Sequence, residues 1–170
     1  MSLLVSEDAI AHFAAQNPSG ITPTQLLDFL TLHKVRPDAL NENLVESVML
    51  MCSSRYSGTI TGHSAIKRAV YVFSNYTKDQ YYALYLYFDQ KFRGVLNSEE
   101  LIAAIEKIQI GLSERACASM LSDHTAEITE HGGITYRVFM QVLVKCIIFR
   151  RQFLDALSAD GSIGSIKLKR

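Results

Sequence analysis

The sequence is short of the features that mark secreted, membrane-bound or metal-stapled chains. Its three cysteines, Cys52, Cys117 and Cys146, are an odd number without regular spacing, which excludes a disulfide framework and a zinc-ligand pattern. Reduced, buried thiols in an intracellular protein are the expectation. Charge of either sign is not in excess, since Lys+Arg and Asp+Glu stand at 17 each. No overall field draws in nucleic acid or an anionic membrane surface. The start lacks a basic stretch followed by an apolar one, and position 2 is Ser rather than the Gly that myristoylation needs. The longest apolar run, 138–149, is broken by Gln141 and Lys145 and falls short of the ~20 residues that span a bilayer. A soluble, cytoplasmic chain is therefore expected. Phosphate-loop, H-E-x-x-H and G-x-S-x-G patterns are missing, and the histidines at 12, 33, 63, 124 and 131 have no ligand spacing with the cysteines. Catalysis is not expected, nor a cofactor.

What the chain does have is a fourfold rhythm. A short loop with Gly or Ser near its middle is followed by an aliphatic residue, a helix-capping residue and an apolar helix. The aliphatic residues are Ile21, Ile60, Leu96 and Ile134, and the residues after them, Thr22, Thr61, Asn97 and Thr135, suit helix N-caps. Gly58, Gly94 and Gly132 occupy one position, where a sharp turn favours φ > 0; the first loop has Ser19 there and Gly20 next. Asn97 with Glu100 has capping-box spacing, and Pro23 follows Thr22 where proline starts helices well. Helices are expected over 6–13, 24–33, 41–52, 64–74, 78–88, 98–108, 113–123 and 136–157. Breaks fall at 35–38, 74–77 and 111–113.

These loops resemble EF-hands, whose 12-residue loop has Gly at position 6, an aliphatic residue at 8 and a bidentate Glu at 12. In that register they begin at 14, 53, 89 and 127, spaced by 39, 36 and 38 residues, a rhythm similar to calmodulin and its light-chain relatives. The resemblance implies an all-α fold with two lobes of paired, degenerate EF-hands, very short β bridges between loops and a long C-terminal helix. The lobes would be residues 1–75 and 78–157, with a tail or vestigial fifth hand at 158–170. The long final helix followed by Asp160-Gly161 also resembles penta-EF-hand proteins, although too few residues follow Gly161 for an exiting helix.

Calcium wants six to eight oxygens, drawn in an EF-hand largely from carboxylates at positions 1, 3, 5, 9 and 12. Loops one and two have no carboxylate at any of these positions. Loop four has Glu127 alone and Val138 where the bidentate Glu belongs. Only loop three, with Asp89, Asn97 and Glu100 at positions 1, 9 and 12, is a metal candidate, and Lys91 and Arg93 stand at positions 3 and 5. Two cations there repel an incoming Ca²⁺, and pairing of Arg93 or Lys91 with Asp89 and Glu100 would close the loop without metal.

The apolar inventory points to a protein partner. Six of the eight tyrosines, at 71, 76, 81, 82, 85 and 87, lie in or just before the stretch entering loop three. From Tyr136 no Gly or Pro occurs for 22 residues. On that last helix Arg137, Gln141 and Lys145 mark one narrow polar stripe, so most of its surface should be covered. Tyr81, Tyr82, Tyr85, Phe139, Leu143, Ile147, Phe149 and Phe153 are the candidate contact residues. The expected function is a calcium-independent interaction or structural subunit. It would grip an amphipathic helix within a larger cytoskeletal, motor or ciliary assembly, with a homodimer also allowed. The alternative is a calcium-responsive adaptor or dimer using loop 89–100.

Overall fold

A computed structural model describes residues 3–35, 40–52, 57–108 and 114–159. The first four residues of the expected loop two at 53–56, most of the break at 35–38, the break at 111–113 and the tail from Asp160 lie outside the described residues. Among the described residues the fold is all-α, with α1 (Glu7–Gln16), α2 (Pro23–Leu32), α3 (Glu42–Cys52), α4 (His63–Asn75), α5 (Gln80–Phe88), α6 (Ser98–Lys107), α7 (Glu114–Ser122), α8 (Thr125–His131) and α9 (Tyr136–Ala159). By compactness the chain divides into Met1–Leu96 and Asn97–Arg170. Helix α5, which the repeat rhythm assigns to the second lobe, packs with α3 and α4 in the first unit.

In the first unit α4 is central, touching α1, α3 and α5, while α2 packs on α3. Its sequence accounts for that place: Ile66, Ala69, Val70 and Phe73 make a helical stripe, and Tyr71 and Val72 bury the flanks. Capping sets the helix starts. The Ser6 hydroxyl accepts from Ala9 N–H, and Thr22 and Gln25 form a reciprocal capping box with Pro23 as the first helical residue. Thr61, expected to cap α4, does not: Gly62 holds the N-cap with no side-chain bond. Between α1 and α2 the chain turns at Gly20, and Ile21 and Ile60 then exchange backbone hydrogen bonds of 2.9 and 3.1 Å as an isolated antiparallel bridge. Gly20 has φ +114°, and a Cβ there would lie 2.7 Å from the Thr59 hydroxyl oxygen, so only glycine fits.

In the second unit α7 packs on α6 and α9. Asn97 and Glu100 form a capping box at the start of α6, with both bonds at 2.8 Å. Thr135 accepts from Val138 N–H at the start of α9. The stretch expected to open loop four is instead helix α8, ended by Gly132 in the left-handed conformation with Gly133 N–H reaching back to the Ile128 carbonyl. Ala126 to Glu130 contains no helix breaker, so the turn falls only at the glycines. On α9, Val138, Phe139, Val142, Leu143 and Cys146 form the core stripe, while Arg137, Gln141 and Lys145 are exposed. Within the chain α9 is covered only as far as Cys146, and every residue from Ile147 to Ala156 is exposed. A 24-residue helix is about 36 Å long, well over twice the ~13.5 Å of the 9-residue α7 that packs on it within the unit.

Candidate loop site and interaction surfaces

Loop three begins where α5 ends, and its first residue is spoken for. Asp89 is fully buried, and its carboxylate accepts the Arg93 N–H at 2.9 Å, the Gly94 N–H at 2.6 Å and the Tyr71 hydroxyl at 2.9 Å. Tyr85, one helical turn earlier, donates its hydroxyl to the Gly94 carbonyl at 2.7 Å. Two tyrosines from α4 and α5 thus tie down both ends of a tight turn built on one carboxylate. Burial, followed by the bond to Asp89, raises the Tyr71 hydroxyl far above its ordinary value of 10.0, so it stays protonated and donates. Phe92 takes the left-handed conformation at φ 53°, uncommon for a bulky residue. Its ring is held edge-on by Tyr71 at 4.7 Å and covered by the Lys67 ammonium at 4.9 Å.

Arg93 gives Asp89 its main-chain N–H, and Lys91 and Arg93 are exposed residues. Glu100, in the second unit and 4% exposed, turns its carboxylate back to the Asn97 N–H. The Asp89 carboxylate is thus engaged by three donors, and one Glu100 oxygen by a backbone N–H. Among the described residues no three His, Cys, Asp or Glu side chains gather as a metal site would need. Glu127 accepts from the Thr135 hydroxyl and the Arg137 guanidinium. Burial pushes its carboxyl up, but those bonds outweigh it and hold the group below its ordinary range.

The candidate contact residues separate into two groups. Tyr85, Phe139 and Leu143 are core side chains, and Tyr82 is half-buried and stacked on Tyr85. Tyr81, Ile147, Phe149 and Phe153 are exposed. Phe149 and Phe153, at 51% and 56% exposure, continue the core stripe of α9 beyond the point where it is packed, and Val144, Ile147, Ile148 and Leu154 add apolar surface around the helix. Tyr81 borders a groove of about 580 Å³ between α3 and the start of α5, with Leu44, Val48, Met51 and Tyr76. Sequence reading missed a second groove, of about 550 Å³, between α1 and α2. There Phe13 and Phe29 stack at 4.1 Å and Leu32 is 77% exposed. The signal was available, since Leu32 breaks the apolar stripe of Leu26, Phe29 and Leu30 on α2.

Among the described residues no helix is long and apolar enough to cross a membrane. Comparison with protein-family models, curated proteins and solved structures finds no match for this chain.

Proposed function

We propose that the chain is a calcium-independent, EF-hand-like interaction subunit that grips an apolar partner segment, such as an amphipathic helix, within a larger cytoskeletal, motor or ciliary assembly. The observation that carries this reading is the outer half of α9, where Val144, Ile147, Ile148, Phe149, Phe153 and Leu154 stand exposed along one helix. Scattered surface hydrophobics need no explanation, but a run of them over three turns marks an interaction surface. The Ile21–Ile60 bridge supports an EF-hand-like pairing of the first two loops. The internal commitment of Asp89 supports independence from calcium, because the loop has its own closure. The type of assembly follows the resemblance to light-chain-like proteins and nothing more specific.

The test is affinity capture from native cells in chelator and in calcium, with the wild-type chain and with Phe149→Ser/Phe153→Ser. The proposal expects the same partner set under both conditions and its loss in the variant. A partner set that appears only in calcium, or that survives the double substitution, contradicts it.

A further inference from the structure

Cys117 on α7 and Cys146 on α9 are both buried, and neither is in a disulfide. The two thiols are neighbours across the α7–α9 contact, near enough for Cys117 to act on the Cys146 thiol. Cys146 also lies 3.5 Å from the Met120 sulfur, one turn along α7 from Cys117. Sequence spacing hides this cluster, because 28 residues separate the two cysteines in the chain. We propose that Cys117 and Cys146 form an oxidation site at which a hydroperoxide converts the dithiol into an intramolecular disulfide, clamping α7 to α9.

The chemistry balances with the oxidant named. One sulfur, as thiolate, attacks a peroxide oxygen; the O–O bond breaks, leaving a sulfenic acid and, after protonation, water. The second sulfur attacks the sulfenic sulfur, the S–S bond forms and the S–O bond breaks, and the oxygen departs as water with the second thiol's proton. Two thiols lose two protons and two electrons, and hydrogen peroxide becomes two waters. Proximity of the second thiol favours the second step over further oxidation. The first step is restrained. Burial, with the neighbouring Cys117, pushes the Cys146 thiol up to about 11, so thiolate is scarce at neutral pH and the closed helices shield both sulfurs. Oxidation therefore proceeds through opening of α7 from α9, and the bond traps the closed state. Cys146 is the last buried residue described on α9, so the clamp sits at the root of the exposed apolar segment.

The experiment treats the full-length protein with hydrogen peroxide, alkylates the remaining thiols, and reads intact mass and peptide maps. The expected product is a monomer two hydrogens lighter with one linked peptide pair, Cys117 to Cys146, reversed by dithiothreitol. It should form faster in urea below the unfolding transition, and the oxidised form should melt several degrees higher. Cys117 and Cys146 still alkylatable after prolonged peroxide, separate sulfinic acids on them, or a bond to Cys52 in place of this pair would each overturn the proposal. The wild-type map decides the question by itself, so the outcome does not depend on whether Cys117→Ser or Cys146→Ser folds.

Discussion

Replacing Asp89 by alanine removes a fully buried acceptor from three donors, the Tyr71 hydroxyl and the Arg93 and Gly94 N–H groups. Hydrogen bonds to a charged group contribute ~1.5–3 kcal/mol each, and relief from burying a charge returns part of their sum. A net loss of about 3–5 kcal/mol is expected. Asparagine keeps one acceptor oxygen and should lose about 1–2 kcal/mol. Tyr71→Phe removes a single bond and should cost about 1–2 kcal/mol. Because the two residues share that bond, the Asp89→Ala/Tyr71→Phe double variant should fall short of the summed losses by about 1 kcal/mol. The assay is urea unfolding followed by helical circular dichroism, with every protein in chelator. Chelator makes the result decisive. If Asp89 were an empty metal ligand, its charge would be uncompensated there, and neutralising it to Asn would stabilise the protein. Stabilisation by Asp89→Asn in chelator, or an Asp89→Ala variant within ~0.5 kcal/mol of wild type, would refute the reasoning.

Gly20→Ala should cost about 2–4 kcal/mol, combining a positive φ with contacts of 2.7 and 2.9 Å to Thr59; Gly58→Ala, with φ +90° and open space, should cost only about 1–2 kcal/mol. Equal losses in thermal melts of the two variants would contradict the close approach. The raised pKa of Tyr71 makes a pH prediction: below the ordinary value of 10.0 its contribution is complete, and above it stability falls because the unfolded chain releases the proton that the folded chain keeps. Stability measured from neutral pH to above pH 10 should decline at the alkaline end, less steeply in Tyr71→Phe, and an identical slope would count against the buried hydroxyl. Phe149→Ser/Phe153→Ser should leave the melting temperature nearly unchanged, a difference within ~0.5 kcal/mol, while reducing binding of a hydrophobic dye; a large loss of stability would mean that these rings are packed.

Much of the helical skeleton was legible because its signals are local. Thr22 before Pro23, and Asn97 with Glu100, are capping signals that depend on a few consecutive residues, and the four-residue spacing of Arg137, Gln141 and Lys145 marks the exposed face of α9. Helix α8 was hidden because a loop register anchored on Gly132 says nothing about the seven helix-compatible residues before it. Among the candidate contact residues, periodicity could not tell Phe139 from Phe149. Both lie on apolar stretches of one helix, and what separates them is how far the packing against α9 extends, which no local pattern encodes. The partners of Asp89 were similarly out of reach. Its charge suggested the nearby cations, but Tyr71, 18 positions away, and two backbone amides take the carboxylate. The Cys117–Cys146 contact likewise exists only once α7 and α9 pack.

Calorimetric titration of the purified, chelator-stripped chain with calcium, paired with melting in chelator and in calcium, tests most directly whether loop three is held shut by its own hydrogen bonds. Those bonds predict no heat at micromolar calcium and superimposable melts. Saturable heat with a raised melting temperature, both abolished by Glu100→Ala, would contradict them.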